Sequence, residues 1–205
     1  MDTSGSDSPR TAARDKPAGA AAVRESILDA AIRLMGERGS TDVALREIAR
    51  EANVNHGLVH RHFGTRQDVL IAVLRRQSEV GADFLRDAEN IHAAIDRLWE
   101  HPKMAENSKL VASALLGGVE PESIAPGHAF RRLEQLLEAD DCTDEDRRAA
   151  TAVAISCLIL GWGIFGEYLT ANAGAKHPER LRAQVLEILH GLSRDRPNRP
   201  GGQAV

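Results

Sequence analysis

Residues 45–63 constrain this chain most. Leu45, Ile48, Ala49 and Ala52 recur at helical spacing, which puts them on one face and turns Arg46, Glu47, Arg50 and Glu51 to solvent. Asn53 suits a left-handed turn position, because its short amide tolerates positive φ and bonds locally. Val54 can fill the angle of the turn and Asn55 can cap a second helix. Val59 and Phe63, four apart, hold that second, short helix on a core and leave His56, Gly57, His60 and Arg61 facing outward. Two short helices, a tight turn and an exposed, donor-rich second helix match the shape of a DNA major groove.

From about Val23 to Leu74 the chain resembles the DNA-binding domain of the TetR family of bacterial transcriptional regulators. Leu45, Ile48, Ala49, Ala52, Val54, Gly57, Val59, Phe63, Val69 and Leu70 fall in register with that family's pattern, without a gap. The chain departs from it at Asn53 for Gly, Asn55 for Ser, Leu58 for a frequent Thr, His60 for a frequent phosphate-binding Tyr, and Arg66 for a usual Lys. These departures leave the fold intact and the operator sequence open. The resemblance implies an all-α protein: an N-terminal three-helix helix-turn-helix domain joined to a C-terminal helical bundle. It also implies a homodimer on double-stranded operator DNA, answering to a small-molecule effector.

The candidate DNA contacts are Arg46, Asn55, His56, Gly57, Leu58, His60, Arg61, Thr65 and Arg66. Arg46 matches a family position that approaches bases or phosphates; a solvated helix charge is the alternative. Gly57 either admits close approach of the duplex or serves turn chemistry alone. Leu58 either touches a thymine methyl or packs. His56, His60 and Arg61 can donate to phosphates or purine edges. Thr65 begins a fourth helix with Asp68 three residues on, a carboxylate form of the capping box, and with Arg66 it offers a phosphate clamp at a helix N-terminus. His56 and His60 have a zinc-chelating spacing, but no further ligands accompany them, so no metal is expected.

Charge fits this reading. The chain is −4 overall, yet residues 23–76 hold nine arginines against seven acidic residues. Aromatics are only 3%, which favours helices over sheet. Cys142 and Cys157 form no framework, and residues 1–20 lack the apolar run of a signal peptide, so a reduced cytoplasmic setting is expected. Residues 149–166 carry no charge and reach the lower length bound for a membrane span. Thr151, Ser156, three glycines and an acidic rather than basic flank favour a soluble helix buried on two sides. No phosphate-binding loop, nucleophile elbow or metal cluster is present, so neither an enzyme nor a cofactor is expected.

The expected organisation is a disordered arm (1–20), a helix-turn-helix domain (21–76), a sensing and dimerisation domain (77–192) and a disordered tail (193–205). Thr41 and Asp42 are the nearest caps for the second helix, and Thr143 for a long helix to about residue 169. That helix has two apolar stripes: Ile155, Leu158, Ile159, Trp162 and Phe165, then Val153, Cys157, Leu160 and Ile164. The second stripe, with Val185 and Leu189 of the last helix, is the expected dimer interface; the family pairs two such helices with their symmetry mates. Trp99, His101, Met104, His128, Trp162, Phe165 and Tyr168 are candidates to line an effector cavity, with a packed core as the alternative. Few charges are expected in the body's core, which points to a largely apolar effector. The rival reading is a helical binding or scaffolding protein whose helix-turn-helix does not read DNA.

Overall fold

A computed structural model of the chain describes residues 19–125 and 127–194. The expected arm up to residue 18 and tail from 195 lie outside the described residues. The order is α1 Ala20–Arg38, α2 Leu45–Glu51, α3 His56–His62, α4 Arg66–Phe84, α5 Ile91–Trp99, α6 Met104–Leu116, a 3-10 turn Pro121–Ser123, α7 His128–Ala139, α8 Glu145–Asn172 and α9 Pro178–Arg194. Every described element is helical, as an N-terminal helix-turn-helix followed by a helical bundle requires.

Local chemistry sets the first boundaries. Gly39, at φ 58°, closes α1 in the left-handed conformation that glycine adopts without strain. Asn53, at φ 55°, turns the chain between α2 and α3, and Asn55 Oδ1 accepts the Gly57 N–H at 2.9 Å to cap α3. Ser26 of α1 donates to the Ala52 carbonyl at 2.9 Å, tying the turn to the first helix. Thr65 and Asp68 form the anticipated reciprocal box at the start of α4.

Two boundaries differ from expectation. Neither Thr41 nor Asp42 caps α2; Glu47 reaches back to the Ala44 N–H at 3.0 Å instead. Asp144, not Thr143, caps α8, accepting the Arg147 N–H at 2.7 Å. Helix α6 begins at Met104, which packs on the body core and whose carbonyl takes the Ser108 hydroxyl at 2.8 Å.

Two hydrophobic cores result. The first gathers Ile27, Leu28 and Met35 of α1 with Ile48, Val59, Val69 and Val73. The second gathers Leu85, Ile91, Ile95, Leu133, Leu137, Ile155, Ile159 and Leu189. Each fully buried aliphatic side chain contributes roughly 1.5–3 kcal/mol. Helix α6 belongs to both: Leu110 and Ala114 sit in the first core, while Met104 packs on the second.

Helix α8 crosses α6 at Gly163, where an added Cβ would lie 2.4 Å from Ser108 Oγ and 3.3 Å from the Ala105 Cα. Ser108 is itself 1% exposed, so it has little room to yield. Gly163→Val should therefore lower unfolding free energy by about 1–3 kcal/mol despite the helix propensity gained. Urea unfolding checks this; an unchanged midpoint would mean the crossing relaxes freely.

Candidate functional site

On α3, His56, Gly57, His60 and Arg61 are exposed, while Val59 is fully buried and Leu58 and Phe63 pack partly on the core. Arg46 on α2 is exposed beside this face. Among the described residues neither Arg46 nor Arg61 has a hydrogen bond or ion pair, so both guanidinium groups are available to a ligand. A Cβ at Gly57 would meet only Asn55 Oδ1, at 3.4 Å, so nothing inside the protein demands glycine there.

His60 is more constrained than its spacing indicates. Its Nδ1 lies 2.8 Å from the Gly64 carbonyl, which can only accept, so the proton of the neutral ring sits on Nδ1. Nε2 then presents a lone pair, suited to an exocyclic amine of adenine or cytosine; it donates to a phosphate only in the protonated ring.

The phosphate clamp expected at Thr65 and Arg66 takes another form. Asp68 Oδ2 accepts both the Thr65 N–H, at 2.8 Å, and its hydroxyl, at 2.6 Å. Those bonds hold the Asp68 carboxyl below its ordinary range, so the N-terminus of α4 is already filled by a negative charge. Arg66 folds onto the α1–α2 loop: Nε donates to the Val43 carbonyl at 3.1 Å, and Nη2 to the Thr41 carbonyl and Asp42. Its main work is to brace the α1–α2 loop. Thr41 Oγ1 in turn lies 2.9 Å from Ser113 Oγ on α6, linking that loop to the body.

Glu47 anchors the start of α2, a role not visible from helical spacing. It accepts a two-pronged bond from Arg38, at 2.8 and 3.2 Å, and the Ala44 N–H. The Arg38 bond, then that N–H, hold its pKa at about 2 against an ordinary 4.5. A depressed carboxylate pKa adds stability that is whole above the unfolded value and lost as pH falls toward the folded one. Glu47→Gln should therefore be less stable than wild type at neutral pH, with the gap closing between about 4.5 and about 2. Urea midpoints across that range test it; a constant gap would refute the assignment.

In the body, a cavity of about 780 Å³ lies between α5, α6, α8 and α9. It brings together four of the anticipated residues, Trp99, His101, Met104 and Trp162. His128 instead lies exposed at the start of α7. Phe165 and Tyr168, 53% and 66% exposed, are not among the cavity-lining positions of α8, which are 159, 162–164, 166, 167, 170 and 171. The wall also holds Lys109, Glu167, Thr170, Glu179 and Arg182, so it is more polar than the expected apolar site. Lys109 and Ile164 also line a second cavity of about 880 Å³ against Thr41, Arg66 and Ser113, at the junction with the helix-turn-helix.

The interface residues divide. Val153 is 50% exposed, Cys157 is exposed, and Leu160, Ile164 and Val185 are half-buried. Leu189, though, is fully buried in its own chain's core; the neighbouring Ile188 is the residue of α9 that stands out, at 63% exposure. Helix α8 is long and apolar enough to cross a membrane by length and composition.

Comparison with known proteins gives these features a context. The family described as bacterial regulatory proteins, tetR family, matches residues 27–73. An HTH-type transcriptional repressor of Mycobacterium tuberculosis is 34% identical over 174 residues, covering 81% of this chain and 85% of its own. The HTH-type transcriptional regulator BetI of Brucella anthropi is 40% identical over 179 residues, covering 85% and 84%. Among solved structures, a TetR-family transcriptional regulator from Rhodococcus sp. aligns with TM-score 0.63 at 21% identity, over 83% of this chain and 98% of that one. The multidrug binding protein EbrR, complexed with imidazole, aligns with TM-score 0.56 at 24% identity, over 82% and 88%.

Proposed function

This chain belongs to the TetR family of bacterial regulatory proteins and is a helix-turn-helix transcriptional regulator, and from that premise we propose that it is an effector-gated cytoplasmic repressor working as a homodimer. The observation that carries the reading is the sharing of α6 between the two cores. One end of α6 lines the 780 Å³ cavity through Met104 and Ala105; the other meets the α1–α2 loop through Ser113 and Thr41. A ligand that favours a different placement of α6 shifts the loop braced by Arg66, and with it α3. It lowers DNA affinity only by binding the DNA-incompetent arrangement more tightly. Two recognition helices must meet half-sites about 34–36 Å apart, so a small displacement at the loop is enough to spoil the fit.

Helix α8 buries few of its residues in its own chain, namely Ala152, Ile155, Ile159 and Gly166. Its uncovered stripe, with Ile188, is assigned to the partner subunit rather than to lipid, because its other faces pack along α6, α7 and α9. The test is fluorescence anisotropy with labelled DNA from the region upstream of the protein's own gene. Salt-sensitive binding that exceeds binding to scrambled DNA is the expected result. Equal binding to both, or none, overturns the proposed repression at that site.

A further inference from the structure

We propose that the cavity between α5, α6, α8 and α9 is built for an organic anion, a molecule with an apolar body and one carboxylate-like head that rests on Arg182. This deepens, and rests on, the reading of that cavity as the effector site. Arg182 reaches from α9 to α5, where Nη2 donates to the Trp99 carbonyl at 2.7 Å and the guanidinium carbon lies 5.2 Å over the Trp99 ring. The group is only partly exposed, and among the described residues no carboxylate lies within 4 Å of it. A partly desolvated guanidinium without a counter-ion is costly, and its one bond leaves Nε, Nη1 and the second Nη2 hydrogen to donate to an oxyanion.

Neighbouring donors agree. His101 Nδ1 accepts the Lys103 N–H at 3.2 Å, so the neutral ring carries its proton on Nε2, as a donor. Lys109, on the α6 wall, has no ion-pair partner among the described residues. Trp99 is 5% exposed with its indole N–H buried and unpartnered. Trp162, 5.2 Å from Trp99, with Met104, Ile159 and Ile164, supplies the apolar wall.

Two carboxylates, Glu167 and Glu179, oppose these groups; both are exposed, as Lys109 is, so solvent screens all three charges and the partly buried Arg182 sets the sign. Arg182 already occupies the face of Trp99, which leaves a cationic ligand only Trp162, next to that positive charge. The anion is thus the better match.

The two tryptophans of the chain both line this cavity, so tryptophan emission, excited beyond the tyrosine band, reports on it. The experiment titrates full-length protein with decanoate, decan-1-ol and decyltrimethylammonium, each below its micellar concentration. Decanoate should bind about tenfold or more tighter than the alcohol, with the ammonium weakest. Arg182→Met, which keeps an unbranched side chain and removes the charge, should weaken decanoate about tenfold or more and leave the alcohol unchanged. Glu179→Gln, at an exposed and screened position, should change decanoate binding by no more than about twofold. Arg182→Lys, which keeps the charge, should hold the preference for the acid and so guards against misfolding of the Arg182→Met variant. Equal binding of acid and alcohol, preference for the ammonium, or no saturable response from any of the three overturns the proposal. Operator release, followed in parallel by anisotropy, separates the two readings. Decanoate bound with operator retained overturns effector gating and leaves the anion site, while release indifferent to ligand charge overturns the anion site and leaves the gating.

Discussion

A chain carrying Leu160→Glu or Ile188→Glu should run as a folded monomer in light scattering and bind its operator about 100-fold to 10,000-fold more weakly, the avidity of two linked sites. Leu160 lies between Val153, Cys157 and Tyr168 on the uncovered side of α8, and Ile188 is 63% exposed on α9. A two-fold interface is self-complementary, so each substitution places two carboxylates in it. Desolvating them without partners costs several kcal/mol, enough to open a dimer held by apolar contact. Leu189→Glu, one residue along, should behave differently: its side chain is in the subunit's own core, so it should unfold or aggregate. Circular dichroism separates the two outcomes. Wild-type protein that is monomeric at micromolar concentration, or glutamate variants that keep the wild-type mass, would sink the interface.

That contrast between Ile188 and Leu189 shows where sequence reading stops. Features set by bonds between near neighbours are legible: the positive φ at Asn53, the Asn55 cap, the Thr65–Asp68 box and the Gly39 terminus all arise from local side-chain chemistry. The direction a doubly apolar helix turns its stripes is not, because spacing fixes which residues share a face and leaves open which neighbour covers it. Phe165, grouped by spacing with the buried Ile155 and Ile159, therefore ends 53% exposed. Contacts between distant segments are hidden for the same reason. Nothing near Arg66 in sequence announces the Thr41 and Val43 carbonyls that claim its guanidinium. Arg182 likewise lies 83 residues from the Trp99 carbonyl it meets. Charged residues on a helix read locally as solvated, so the polar wall of the cavity was illegible, whereas its indoles stood out by rarity.

Arg61→Ala should produce the largest loss of DNA affinity among the side chains of the recognition helix, and it should relax base preference as well. Its guanidinium is exposed on α3 and has no partner among the described residues, so removal costs the protein no internal contact. A base-reading arginine is worth about 1–3 kcal/mol per half-site, and the dimer loses it twice, about 2–6 kcal/mol in all. That converts to roughly 30-fold to more than 10,000-fold in dissociation constant. Arg66→Ala makes the instructive comparison, since it frees the Thr41 and Val43 carbonyls and should lower the urea midpoint along with DNA affinity, whereas Arg61→Ala leaves the midpoint in place. Gly57→Ala bears on the same face from the opposite side. The new methyl meets only Asn55 Oδ1, at 3.4 Å, and should steady the helix by roughly 0.5–1 kcal/mol. If the duplex packs against that position, the same methyl weakens binding while stability rises, a combination that a turn-forming glycine cannot produce. Anisotropy on operator and scrambled DNA at two salt concentrations, with urea unfolding beside it, reads all three variants. Arg61→Ala protein that keeps wild-type affinity and discrimination would show that α3 does not carry the readout.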